Sequence, residues 1–121
     1  MPDIGVLTIV VVLVLAVAFA SIGGSKVAAV PSMRERARHL GYSITSYRLI
    51  GLAEFAAAVA LVIGLWLPAL AAAAAAGLTV LLIGAVVAHL RHGDPLKAAA
   101  PAVILGIFAV VTVVRAISEL G

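Results

Sequence analysis

The residues best suited to chemistry are a few ionisable side chains set within stretches that are otherwise apolar. Glu54 is surrounded by aliphatic residues, and His89 lies near the end of a second apolar stretch. A carboxylate in hydrocarbon costs a few kcal/mol unless it is protonated or paired, so such residues are functional candidates. A glutamate and a histidine within reach of one ligand could exchange protons with it. We therefore predict that Glu54 and His89 carry any catalysis.

Further polar residues near this pair predict a binding site at one end of two antiparallel helices. Tyr47 and Gly51 share a helical face with Glu54, at seven and three residues before it. Arg48 and Arg91, at the membrane edge of these helices, could hold an anionic or carbonyl group of a ligand. A structural ion pair that fixes helix register is the competing interpretation. The predicted ligand-binding residues are Tyr47, Arg48, Gly51, Arg91 and His92.

Composition identifies the solvent of this chain as lipid. Of 121 residues, 65% are hydrophobic and only 11% are charged, with a mean hydropathy of +1.31. A soluble domain carries about 25% charged residues. Because there is no cysteine, the chain has no thiol redox centre and no thiolate ligands for an iron–sulfur cluster. No metal site is predicted, since no third strong ligand accompanies the histidines.

The positions of charged residues and prolines predict one domain, 1–121, that is an all-α integral membrane four-helix bundle. The predicted spans are about 4–23, 48–67, 69–90 and 99–117. Pro68 separates the second span from the third, because a proline cannot donate its amide within a helix. Pro101 is expected in the first turn of the fourth span.

The one long connection predicts a short amphipathic helix at about 32–40, lying on the membrane surface. Ser32 and Glu35 have the spacing of a capping box, and Gly41 suits a C-terminal cap. Five of the eight basic residues border a span or lie in this loop, which indicates a membrane surface and no nucleic acid. Because basic residues favour the cytoplasmic side, loops one and three are predicted to be cytoplasmic in a multi-pass protein of the cell membrane.

Small residues predict where helices approach one another closely. Gly77, Gly84 and Ala88 fall on one side of the third span, and Gly51 and Ala58 fall on the second. The glycine-rich third span also predicts a surface for a homo-oligomer or a larger membrane complex.

The stretch from Tyr47 to Glu54, with its Arg-x-x-Gly-x-x-Glu pattern, resembles the DoxX-like family of small bacterial membrane proteins. The loop from Leu40 to Ser43 before it and the stretch from Gly84 to Arg91 after it extend the resemblance over nearly the whole chain. The resemblance implies a four-helix bundle in the bacterial inner membrane. It also implies a link to quinone-dependent oxidoreductase systems, and the motif carries over to Arg48, Gly51, Glu54 and His89.

Three functions remain open at this point. The first is an accessory subunit of a quinone-linked redox system, with no encoded cofactor but with a bound quinone or other small lipophilic ligand. The second is a cofactor-free membrane enzyme, an isomerase or hydrolase, that acts on a lipophilic substrate through Glu54 and His89. The third is a non-catalytic assembly subunit whose polar residues set helix register.

Overall fold

The chain is almost entirely helical, and four of its five helices are long and apolar enough to cross a membrane. The computed structural model describes the backbone of residues 2–120 and the side chains of residues 5–120. Its helices are α1 (Pro2–Val27), α2 (Pro31–His39), α3 (Ile44–Ile63), α4 (Pro68–Arg91) and α5 (Leu96–Leu120). No strand occurs in this described part. The predicted all-α membrane bundle with a short additional helix is confirmed.

Helix α1 continues past the predicted end at residue 23 and reaches Val27, so Lys26 lies on the helix. The helix ends at a turn in which Ala29 adopts φ 53°, a left-handed conformation that is unusual for any residue other than glycine. Lys26 therefore belongs to the last turn of α1. A lysine in the last helical turn can extend along the helix and still place its ammonium group near the interface.

Helix α2 lies close to its predicted position, but the predicted arrangement at its N-terminus is wrong. Its N-cap is Val30, with Pro31 in the first turn, and the Ser32–Glu35 capping box does not form. Proline suits this position because the first-turn amide has no helical acceptor. The predicted cap at Gly41 has φ +79° and forms a Schellman turn, with the amides of Gly41 and Tyr42 bonded to carbonyl oxygens of the last helical turn.

The later helices also begin earlier than the sequence suggests. Helix α3 begins at Ile44 because the Ser43 side chain accepts a hydrogen bond from the Ser46 amide, and it ends before a tight turn at Gly64. Helix α5 begins at Leu96, so Pro101 lies inside the helix and not in its first turn. The residues before Pro101, Leu96 to Ala100, are leucine, lysine and alanine, all good helix formers, which explains the earlier start.

The bundle consists of two helix pairs. Helix α1 packs mainly on α3, and α4 packs mainly on α5, while smaller α3–α4 and α1–α5 contacts join the pairs. The largest fully buried side chains of the core are Val12, Leu15, Phe19, Leu61 and Leu78. Many other large apolar side chains point outward, as expected for a surface that contacts lipid.

The close helix approach occurs at different glycines from those predicted on α4. A Cβ atom added to Gly77 or Gly84 would have no neighbour within 4 Å. These two glycines therefore face away from the other helices of the chain. The buried small residues of α4 are alanines: Ala71, Ala74, Ala75 and Ala88.

Candidate functional site

Helices α1 and α3 cross in close contact at two glycines. A Cβ atom on Gly23 would lie 2.5 Å from the Gly51 carbonyl oxygen and 3.2 Å from the Glu54 Cβ atom. A Cβ atom on Gly51 would lie 2.4 Å from the Lys26 Cβ atom. Because only hydrogen fits at either position, the two backbones approach closely. Each glycine thus lies opposite the charged residue of the other helix.

This crossing brings Lys26 and Glu54 into a buried ion pair. The Lys26 Nζ atom donates a hydrogen bond of 2.7 Å to the Glu54 Oε1 atom, and their side chains are only 12% and 6% exposed. A buried carboxylate needs such a partner, since an unpaired charge in a medium of low dielectric constant is strongly unfavourable. The sequence indicates that Glu54 must be protonated or paired, but it did not identify Lys26 as the partner.

Tyr47 forms the third side of this polar group. The Lys26 Nζ atom lies 4.7 Å from the centroid of the Tyr47 ring, within the range of a cation–π interaction. Helix α2 covers the ring with two buried side chains, Met33 and Ala37. Helix α2 therefore closes the group formed by Lys26, Tyr47 and Glu54, which we call the polar triad.

Arg48 does not join the polar triad. Its Nε atom donates a hydrogen bond of 2.9 Å to the Val27 carbonyl oxygen, in the linker between α1 and α2. The Arg48 side chain is exposed, and Glu54 pairs with Lys26 instead. Arg48 is therefore not the partner of Glu54. The arginine is anchored instead to the linker that follows α1.

His89 belongs to a second polar group at the end of α4. Gly93 has φ +73°, and the Asp94 amide bonds to the His89 carbonyl oxygen in a Schellman turn. This turn brings the Asp94 carboxylate back to the helix, where Oδ2 lies 2.7 Å from the His89 Nδ1 atom. The other oxygen, Oδ1, lies 2.7 Å from the Nε2 atom of His39 on α2. We call His39, His89 and Asp94 the histidine clasp.

The histidine clasp shifts the titration of its carboxylate. Two hydrogen bonds, a larger contribution from His89 and a smaller one from His39, lower the pKa of Asp94 below its usual value of 3.8. The carboxylate is therefore ionised over the physiological range and ties the end of α2 to the α4–α5 turn. Each carboxylate oxygen is bonded to one imidazole, so Asp94 links α2, α4 and the α4–α5 turn.

The remaining predicted residues, His92 and Arg91, lie outside both groups. His92 bonds through Nδ1 to the Ala88 carbonyl oxygen, and its Nε2 atom faces Gly41. Arg91 is exposed at the end of α4. The predicted single cluster around Glu54 and His89 is thus divided between the polar triad and the histidine clasp.

Two surface concavities bear on ligand binding. A shallow depression lies between the α1–α2 linker and the first turns of α3, where Lys26 and Tyr47 form part of its lining. An open apolar groove of about 340 Å³ lies between α4 and α5, and its lining includes Leu82, Val86 and Gly106. Among residues 5–120, no group of three or more His, Asp or Glu side chains is arranged to hold a metal ion.

Sequence reasoning missed Lys26, His39 and Asp94. A signal for the first was present, since Gly23 precedes Lys26 by three residues and Gly51 precedes Glu54 by the same interval. Matching spacings on two antiparallel helices place each glycine opposite the other helix's charge. No comparable signal existed for His39, because its link to Asp94 depends on how α2 folds back over the bundle.

Comparison with known proteins gives one family match. The family model described as the DoxX-like family matches residues 10–112, which include α2, α3, α4 and both polar groups. No curated protein matches the chain, and no solved structure matches it.

Proposed function

The chain belongs to the DoxX-like family, and we propose that it is an accessory subunit of a quinone-linked membrane redox system. In this proposal the polar triad receives the head of a small lipophilic ligand, such as a quinone, and exchanges protons with it. The observation that carries the proposal is the buried Lys26–Glu54 pair, whose lysine and neighbouring Tyr47 also line a shallow surface depression.

The chemistry of a quinone suits these side chains. Reduction of a quinone to a quinol consumes two electrons and two protons. The chain has no cysteine for thiol redox chemistry, and in this proposal a redox-active partner subunit supplies the two electrons. The Lys26 ammonium group and the Tyr47 hydroxyl can donate hydrogen bonds to a carbonyl oxygen of the quinone, and any proton that they give to the reduced ligand is replaced from water at the membrane surface.

The enzyme alternative, an isomerase or hydrolase without a cofactor, receives less support. It requires Glu54 and His89 to act on one substrate, yet each is hydrogen-bonded within a different group. Neither hydrogen bond joins the two residues, so these contacts give no support to a paired general acid and general base.

The assembly alternative has one observation in its favour. The Lys26–Glu54 pair forms at the glycine crossing of α1 and α3, so the pair also fixes the register of the two helices. A subunit whose only role is assembly would keep this pair without binding a ligand.

Native mass spectrometry with extraction of bound lipids tests the proposal. Wild type and the remote control Glu119→Gln should retain a quinone or another lipophile, whereas Glu54→Gln should lose it. Tyr47→Phe, which removes only the hydroxyl, should weaken retention without disturbing the ion pair. Circular dichroism verifies that each variant is folded. Equal retention by Glu54→Gln, or no bound lipophile in any sample, would favour the assembly alternative.

A further inference from the structure

Two arginines are anchored to the same short linker between α1 and α2. The Arg34 Nε atom donates a hydrogen bond of 2.8 Å to the Ala29 carbonyl oxygen, and the Arg48 Nε atom donates one of 2.9 Å to the Val27 carbonyl oxygen. These bonds orient both guanidinium groups through the nitrogen nearest the chain. Among the described residues, the terminal Nη atoms of both have no hydrogen bond or ion pair.

Both arginines line the shallow depression described above. Lys26 and Tyr47 are its more buried members, whereas Arg34 and Arg48 are exposed at its rim. Glu54 already neutralises Lys26 through the 2.7 Å ion pair, and no carboxylate lines the depression. The rim therefore carries two positive charges without a counter-ion on the protein, which favours an anionic ligand.

The local backbone adds to this positive potential. Helix α2 begins beside the depression without a side-chain cap. Helix N-termini carry a partial positive charge and attract anions. The linker has a fixed backbone conformation, since Ala29 keeps a left-handed φ of 53° while its carbonyl oxygen accepts the hydrogen bond from Arg34.

We propose that Arg34 and Arg48 form a binding site for a phosphate group, carried by a phospholipid head or present as free phosphate. Two guanidinium groups with free Nη donors match the oxygens of a phosphate, which accept paired hydrogen bonds from arginine. The site lies at the ends of α1 and α3, where lipid phosphates occur beside a spanning helix. It goes beyond the proposed function, because phosphate binding needs neither a quinone nor a redox partner.

Binding of short-chain phosphatidylglycerol to the purified full chain in detergent, followed by native mass spectrometry, tests this site. Diacylglycerol with the same chains is the control lipid without phosphate. The variant Arg34→Gln/Arg48→Gln should bind phosphatidylglycerol about tenfold more weakly, the equivalent of one charge-assisted hydrogen bond. The matched control Arg36→Gln/Arg38→Gln removes the same charge from the same surface and should bind like wild type.

A second variant separates geometry from charge and guards against misfolding. Arg34→Lys/Arg48→Lys keeps both charges but loses the Nε hydrogen bonds and the planar donor groups, so weaker binding is expected here too. Competition by inorganic phosphate against chloride at equal ionic strength identifies the source. Displacement of the lipid would assign the site to free phosphate as well, and no displacement would assign it to lipid heads. Equal loss in the Arg36/Arg38 control, or no preference over diacylglycerol, would overturn the proposal.

Discussion

Replacement of Lys26 by methionine tests how strongly the bundle depends on the buried ion pair. The variant removes the ammonium group that lies 2.7 Å from Glu54 but keeps a side chain of similar length. Glu54 would then be a carboxylate with a 6% exposed side chain and no cationic partner. Its Cβ atom faces Gly23 in the tight crossing, so the short side chain cannot reach the membrane surface.

The expected magnitude follows from this burial. Breaking a buried pair by removal of one partner costs about 3–5 kcal/mol. Because Lys26 retains 12% exposure, we expect the lower end, about 3 kcal/mol, or roughly a hundredfold change in the unfolding equilibrium constant. Glu54→Met should cost less, about 1–2 kcal/mol, since the freed lysine can extend to the interface. The double variant Lys26→Met/Glu54→Met should lie within about 1 kcal/mol of wild type.

The assay is the free energy of unfolding in mixed detergent micelles, measured by titration with a denaturing detergent and followed by circular dichroism. The three variants and wild type form a double-mutant cycle that isolates the pairwise term. The reasoning would be refuted if Lys26→Met lost less than about 1 kcal/mol. It would also be refuted if the double variant were as unstable as Lys26→Met alone.

Three further predictions follow from the backbone and from the histidine clasp. Gly51→Ala should destabilise the bundle by about 1–3 kcal/mol in the same titration, because its methyl group would collide with the facing lysine, whereas Gly77→Ala should have little effect. The pKa of Asp94 in the folded protein lies below the 3.8 of an ordinary aspartate. The stabilisation by its carboxylate is therefore complete above pH 3.8 and is lost as the pH falls through the pKa of the folded protein. The difference in melting temperature between wild type and Asp94→Asn should therefore be largest near neutral pH and should vanish under strong acid. Ala29→Gly should raise stability by up to about 1 kcal/mol, since glycine adopts φ 53° without strain; a lower melting temperature would contradict this.

The fold follows from the sequence because lipid imposes simple requirements. Each spanning helix needs about 20 apolar residues, and Pro68 can begin a helix but not continue one. These rules locate four spans without knowledge of packing. The helix ends were less predictable, since they depend on local bonds such as the Ser43 cap and on the tolerance of α5 for Pro101.

The candidate site was only partly predictable, for a reason visible in Lys26. A charge at the edge of an apolar stretch indicates the end of a span, yet α1 continues through Lys26 and directs its side chain at Glu54. Which residue pairs with Glu54 depends on the crossing of α1 and α3, and pairwise packing is not encoded in the periodicity of either helix alone. The same holds for His39 and Asp94, which lie 55 residues apart in the chain.

Photolabelling with a quinone analogue that carries a photoreactive group tests the proposed lipophile site most directly. Wild-type protein is labelled in detergent, digested and mapped by mass spectrometry beside Glu54→Gln. We expect label on the peptides of α1 and α3 that contain Lys26 and Tyr47, and strongly reduced label there in the variant. Label confined to the apolar groove between α4 and α5, or equal label in wild type and variant, would contradict the assignment of the polar triad as the quinone site.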